Sequence, residues 1–158
     1  MKTASSPAPA VPGYVPDAEL LRAYGQAAWT VDTTAGPLQV RLDGTAADPQ
    51  LRPSGIVTAY NPASIPRTAA ENAEADVELL RHIRSLGLAH RRTVARAADG
   101  AWEEPGYLLL GEVRPLLVEM GLVFGQNAVV WIDAAGSVCL VCTRAGFAGR
   151  LPGQKIDL

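Results

Sequence analysis

Short apolar segments of alternating polarity, separated by turn signals at close intervals, constrain the fold of this chain more than any other feature. Leu38, Val40 and Leu42 alternate with polar residues directly after the turn signal Gly36-Pro37. Asp99-Gly100 is a strong hairpin signal between two further apolar segments. Alternation with a period of two indicates strands with one buried face, and tight turns join antiparallel neighbours. The pattern therefore predicts consecutive hairpins and argues against a doubly wound parallel sheet.

Helices are predicted where the apolar spacing lengthens and capping residues appear. Thr68 and Glu71 have the spacing of a capping box, and the helix that they begin is predicted to end just before Gly87. Pro115 suits the first turn of another helix, and a short helix is predicted to open at Asp17. The chain is therefore predicted to be α+β: a mainly antiparallel sheet of about six or seven strands, with two or three helices packed on one face.

The length and composition fit one folded domain. The chain has 158 residues, of which 48% are hydrophobic and 19% charged. Residues 1–16 are rich in Pro and Ala and are interpreted as a disordered arm, residues 17–143 as a single α+β domain, and residues 144–158 as an irregular C-terminal tail. No segment approaches the roughly 20 apolar residues that cross a bilayer, and the N-terminus lacks the apolar part of a secretory signal. A cytoplasmic protein without membrane contact is expected.

The balance of charge disfavours nucleic acid as the partner. The net charge is −2, whereas dedicated nucleic-acid binders are usually basic. One local basic patch consists of Arg81, Arg84, Arg91, Arg92 and Arg96. Between residues 81 and 96 no Phe, Tyr or Trp is interleaved with the arginines, although such stacking residues are typical of single-strand binding surfaces. The patch is interpreted as a solvated face, and a nucleic-acid binder remains the second alternative.

Several common chemistries lack the residues that they need. Cys139 and Cys142 have C-x-x-C spacing but no second ligand pair, and on a strand two residues three apart point to opposite faces. The two histidines, His82 and His90, accompany no nucleophile elbow. No glycine-rich nucleotide motif is present. The sequence therefore predicts no metal site and no cofactor.

The remaining polar residues of interest stand where predicted elements begin or end. The set consists of Thr58, Tyr60, Asn61, Asn72, Gln126 and Asn127. Amides at such positions most often satisfy backbone groups and fix loops. The alternative is a polar pocket for a small molecule or a peptide, with Tyr60, Trp102 and Tyr107 as aromatic walls. Neutral amides orient ligands but do not readily supply a proton, so the set favours a binding or regulatory module over an enzyme.

A catalytic alternative rests on two adjacent carboxylates. Glu103 and Glu104 follow Trp102 in a predicted loop. In a small hydrolase or transferase either could act as general base, with Asn72 or Gln126 polarising the substrate. The simpler interpretation is a pair of solvated loop charges.

Four motifs follow one another along the chain: Thr58-Ala-Tyr-Asn-Pro62, Glu71-Asn72, Trp102-Glu-Glu-Pro-Gly-Tyr107 followed by Gly111, and Phe124-Gly-Gln-Asn-Ala-Val-Val-Trp131. Together they resemble one bacterial family, catalogued as domain of unknown function 3293. Their order and spacing extend the resemblance over about Tyr24 to Val141. The resemblance implies a compact bacterial single-domain protein and carries no catalytic residue, cofactor or partner with it.

Overall fold

Three α-helices and eight strands form the part of the chain that the computed structural model describes, which is residues 17–144, 147 and 153–156. In chain order the helices and strands are α1 (Asp17–Gln26), β1 (Ala28–Val31), β2 (Leu38–Arg41), β3 (Ser54–Val57), α2 (Ala69–Ser85), β4 (His90–Arg96), β5 (Glu103–Leu110), α3 (Arg114–Val123), β6 (Ala128–Ile132), β7 (Val138–Cys142) and β8 (Lys155–Ile156). Two short 3-10 turns span Pro49–Leu51 and Pro62–Ser64. The predicted arm, residues 1–16, lies outside the described residues.

The strands form one curled sheet in the order β2-β1-β4-β5-β3-β6-β7-β8, and every neighbouring pair is antiparallel. The predicted α+β class and the antiparallel sheet are confirmed. The described sheet has eight strands, slightly more than the predicted six or seven. The extra strand, β8, lies in the C-terminal segment whose Gly and Pro residues predicted irregular structure.

The two faces of the sheet carry separate core clusters. All eight strands contribute to the first core, and Leu20, Leu21 and Tyr24 of α1 pack against it. The second core lies under α2 and α3. Helices therefore lie on both faces, whereas the sequence predicted them on one. The difference follows from the curl of the sheet, because a curled face needs an element such as α1 to cover its open end.

Strand β6 shows why some segments are apolar throughout. Ala128, Val130 and Ile132 point into the first core, while Val129 and Trp131 point into the second. Successive side chains of a strand face opposite sides, so a strand with a core on each side loses the alternation of a surface strand.

Helix α2 begins as the sequence predicted. Thr68 Oγ1 accepts a hydrogen bond from the backbone N–H of Glu71 at 3.2 Å, and the Glu71 carboxylate accepts from the Thr68 N–H at 2.9 Å. Leu79 and Ile83 bury the inward face of the helix completely. Full burial of one such side chain contributes about 1.5–3 kcal/mol.

Strand β5 begins earlier than predicted, and this moves the two acidic residues. Glu103 pairs with Arg96 and Glu104 with Ala95 in the β4–β5 hairpin. The prediction that both glutamates lie in a loop is therefore wrong. The strand accommodates Pro105 because β3 pairs only with residues 107–110 of β5, so the missing N–H of Pro105 faces no neighbouring strand on that side.

Candidate functional site

The loop after β3 and the start of α2 are joined through two asparagines. The Asn61 N–H donates to Asn72 Oδ1, and Asn72 Nδ2 donates to Asn61 Oδ1, both at 2.9 Å. Asn61 Oδ1 also accepts from the Arg67 N–H at 3.0 Å. Asn61 adopts the left-handed backbone conformation, with φ 44°, which Asn tolerates better than most residues. The Asn72 side chain is buried, and the residue is 5% exposed.

The start of β6 meets the same loop. Gln126 Nε2 donates to the Tyr60 carbonyl at 3.1 Å and to the Phe124 carbonyl at 3.3 Å. Asn127 Nδ2 donates to Ser64 Oγ at 3.0 Å. The loop after β3, the start of α2 and the start of β6 are therefore close together in the fold.

Most of the predicted binding side chains make hydrogen bonds within the protein. Thr58 Oγ1 donates to the Pro105 carbonyl at 2.7 Å and accepts from the Tyr60 N–H at 3.0 Å. Asn127 Oδ1 accepts from Arg144 Nε at 2.6 Å. These bonds satisfy buried backbone and side-chain groups and hold the loop in place. Thr58, Asn72, Gln126 and Asn127 thus support the site rather than offer open donors to a ligand.

Glu104 differs from these side chains because its half-buried carboxylate accepts only one hydrogen bond from the described residues. Its Oε1 accepts from Asn61 Nδ2 at 3.0 Å. Among the described residues, no donor reaches its Oε2. Desolvation by burial raises the pKa of the Glu104 carboxyl above its ordinary value, and the hydrogen bond from Asn61 partly opposes that rise.

The neighbouring carboxylate, Glu103, is exposed and has a cationic partner. Arg96 Nε donates to Glu103 Oε2 at 2.8 Å, and both side chains remain about half exposed, at 48% and 56%. Adjacent residues of a strand point to opposite faces, so Glu104 turns towards the first core with Ala95 while Glu103 does not. Of the two predicted candidates, only Glu104 lies in an enclosed environment.

A cleft of about 300 Å³ opens beside Glu104. Its lining residues come from α1, the loop after β3 and the start of β5: Glu19, Leu20, Ala23, Tyr24, Asn61, Ser64, Pro66, Trp102 and Glu104. A smaller cavity of about 30 Å³ lies inside the first core and shares Tyr24, Trp102 and Glu104 with the cleft. That volume suits about one water molecule.

Tyr24 forms part of the wall between the cleft and the core. Burial raises the pKa of its hydroxyl to about 12, although the neighbouring side chains of Ser64 and Asn127 partly offset the rise. The phenol is therefore neutral at physiological pH and acts as a hydrogen-bonding group. Its ring meets Phe147 edge to face, with centroids 6.5 Å apart.

Two of the three predicted aromatic walls lie elsewhere. Trp102 lines the cleft, but Tyr60 and Tyr107 do not. Tyr107 belongs to the second core, where its hydroxyl donates to Asp76 Oδ2 at 3.1 Å and Arg92 lies 4.6 Å above its ring. The aromatic residue that takes their place in the cleft is Tyr24.

The contribution of α1 to the cleft could not be predicted from the sequence. Glu19, Leu20 and Tyr24 belong to the short helix predicted to open at Asp17, and nothing local in the sequence connects them with Asn61 or Glu104. The connection is made by the curl of the sheet, which brings the first helix over the ends of β3 and β5.

The predicted basic patch is largely paired with acids. Arg92 binds Asp76 at 2.9 Å, Arg96 binds Glu103, and Arg81 binds Glu78. These pairs reduce the positive potential that a phosphate backbone would meet.

The described residues offer no evident place for a metal. In residues 17–144, 147 and 153–156, no three His, Cys, Asp or Glu side chains are grouped to hold an ion. Cys142 lies in the first core and Cys139 packs against the second, so the two side chains face opposite ways, as predicted for a strand. Among the helices of this same part of the chain, none has the length and hydrophobicity to span a membrane.

One family model matches part of the chain. Residues 57–129 match the model of DUF3293, described as a protein of unknown function. The family resemblance is confirmed over that segment, which is shorter than the predicted Tyr24 to Val141. The matched residues include the loop of Asn61, the buried Asn72, Glu104 and the two amides that begin at Gln126, but not α1. No curated protein and no solved structure matches the chain.

Proposed function

We propose that this DUF3293-like chain is a bacterial, cytoplasmic binding or regulatory module, and that its ligand is a small molecule held in the cleft beside Glu104. The observation that carries the proposal is the state of Glu104. This side chain is half-buried, lines the cleft, and receives one hydrogen bond from the described residues, that of Asn61. A desolvated carboxylate with an open oxygen gains more from a bound donor than an exposed one does.

The rigid surroundings of Glu104 support binding. Asn61, which positions the carboxylate, is itself fixed by Asn72 and by the Arg67 N–H. Gln126 fixes the adjoining Tyr60 carbonyl. A ligand would therefore meet preformed geometry and would not have to order a loop.

Native mass spectrometry of protein purified gently from a bacterial host tests this proposal. The wild type and Glu103→Gln should retain the same extra mass, while Glu104→Gln should lose it. Glu103→Gln is the matched control because it removes an adjacent carboxylate that points away from the cleft. An extra mass retained equally by all three proteins would contradict the proposed site.

The alternative, a small hydrolase or transferase with Glu104 as general base, is favoured by one observation. Desolvation raises the pKa of Glu104, as general bases that work near neutral pH require. Its hydrogen-bonding partner is Asn61 and not Asn72 or Gln126, so Asn61 replaces them as the group next to the reacting atoms. A substrate screen in which Glu104→Gln abolishes turnover and leaves binding intact would establish this alternative over the first proposal.

A further inference from the structure

The charged residues described in the lining of the cleft beside Glu104 are all acidic. The lining residues that the structure describes include two carboxylates, Glu19 and Glu104, and no Lys or Arg. The other polar groups of the lining are neutral: the side chains of Asn61 and Ser64 and the hydroxyl of Tyr24. An anionic ligand would meet repulsion here, whereas a cation would be attracted.

Three arginines of the described residues, Arg92, Arg96 and Arg144, are engaged with groups outside the cleft lining. Arg96 binds Glu103 on the opposite face of β5, and Arg92 binds Asp76 under α2. Arg144 donates to Asn127 Oδ1 and lies 5.1 Å above the Phe147 ring. In the described part of the chain, Glu104 forms no ion pair.

The aromatic walls add a second attraction for a cation. Tyr24 and Trp102 both line the cleft and the small cavity behind it. Aromatic faces attract ammonium and guanidinium groups by about 0.5–2 kcal/mol, and the attraction is greatest where water is excluded. A cleft lined by a carboxylate and two aromatic side chains is therefore suited to an organic cation.

We infer that the cleft binds a small protonated primary amine, with the ammonium group donating to Glu104 Oε2. This inference rests on the proposed binding function and names the ligand class. Asn61 Nδ2 already donates to Oε1, so the two parallel bonds that a guanidinium prefers would compete with that bond, whereas a compact ammonium can donate to Oε2 alone. A compact ammonium needs one acceptor without a partner, and among the described residues Glu104 Oε2 is such an acceptor.

Size and the second carboxylate narrow the ligand further. The cleft of about 300 Å³ is at the lower limit for small-molecule sites. Glu19 is exposed on α1 at the same cleft, so a second ammonium group on the ligand gains a partner there. A short diamine should bind more tightly than the monoamine, and this gain should shrink as salt rises because Glu19 is solvated.

A panel of four probes tests the inference by calorimetry and by NMR of the Trp102 indole N–H: butylamine, 1,4-diaminobutane, 1-butanol and butyrate. The two amines should bind, and the alcohol and the acid should not. Glu104→Gln should weaken amine binding at least tenfold, and Glu103→Gln should leave it unchanged. Trp102→Leu, which keeps both carboxylates, should also weaken it.

Two results would overturn the inference. The first is that 1-butanol or butyrate binds as tightly as butylamine, which would show that the ligand is not an amine. The cleft would still be the binding site if Glu104→Gln lost the co-purified mass in native mass spectrometry. The second is that neither Glu104→Gln nor Trp102→Leu changes the affinity for the amines, which would show that the amines do not bind in the cleft. The proposed function itself fails only if the Glu104→Gln variant retains the co-purified mass. Failure of the ligand class can therefore be distinguished from failure of the proposed site.

Discussion

Asn61 and Asn72 hold each other through a reciprocal pair of 2.9 Å hydrogen bonds, one from a backbone N–H and one from a side-chain amide. The pair fastens the loop after β3 to the first turn of α2. It also orients Asn61 Nδ2 towards Glu104. One buried helix residue thus sets the geometry of the cleft although it is not among the cleft residues.

Asn72→Ala should lower the free energy of unfolding by about 2–3 kcal/mol. The substitution removes both bonds and leaves the Asn61 N–H without an acceptor in a part-buried position, where an unsatisfied group costs about 1–3 kcal/mol. Urea denaturation measures the change. Glu74→Ala, on the exposed side of the same helix, should alter stability by less than about 0.5 kcal/mol. Equal effects of the two substitutions would contradict the structural role of the pair.

Asn61→Ala should be less stable than Asn61→Gly by about 1 kcal/mol. Both variants lose the same side-chain hydrogen bonds, but only Gly adopts a backbone φ near 44° without the steric cost that a Cβ imposes. Thermal or urea unfolding of the two variants isolates the backbone term. If Ala proved as stable as Gly, the left-handed conformation of Asn61 would not be maintained in solution.

Glu104→Gln should stabilise the protein at neutral pH and lose that advantage in acid. The folded state raises the pKa of Glu104, so it binds the proton more tightly than the unfolded state does. The wild type is therefore relatively most stable below the unfolded value of about 4.3 and loses stability as pH rises through the folded pKa. The difference between the variant and the wild type should grow over that window. Denaturation curves from pH 4 to pH 7 measure it, and a difference that stays constant over this range would contradict the raised pKa of Glu104.

The Asp76–Arg92 ion pair on the buried side of α2 should stabilise the fold more than the exposed Glu78–Arg81 pair does. The Asp76 carboxylate is 15% exposed and also accepts from Tyr107, whereas the Glu78 and Arg81 side chains are 59% and 66% exposed. Double-mutant cycles should give a coupling of about 1–2 kcal/mol for the first pair and below about 0.5 kcal/mol for the second. Similar couplings would show that burial does not strengthen the inner pair.

Gly106→Ala should destabilise the fold by about 1–3 kcal/mol because it crowds the sheet behind the cleft. A Cβ at Gly106 would lie 2.6 Å from the Val57 carbonyl oxygen, and a backbone atom cannot easily move away. Gly25, in α1, has nothing within 4 Å of a built Cβ, so Gly25→Ala should stabilise by about 0.5–1 kcal/mol. Melting temperatures of the two variants should therefore shift in opposite directions.

Much of the architecture was predictable because its signals are local. The capping box at Thr68 and Glu71, the alternation around Val40 and the turn at Asp99-Gly100 each depend on residues within a few positions of one another. Such patterns specify helices and hairpins whatever the rest of the chain does. They predicted the α+β class, the antiparallel sheet and the start of α2. They failed at Pro105, because a proline is tolerated in a strand wherever the facing neighbour is missing, and that depends on strand order.

The sequence by itself determined which residues are polar at element ends, and so it indicated Asn61, Asn72, Gln126 and Asn127 as one group. Only the tertiary structure decided that most of these amides bind one another and the backbone, that Glu104 and not Glu103 faces inward, and that Tyr24 completes the cleft. The physical reason is the separation along the chain over which each interaction acts. Capping and alternation act between neighbours in the chain, whereas desolvation and the meeting of α1 with β5 join residues about 80 positions apart, and the curl of the sheet alone brings them together.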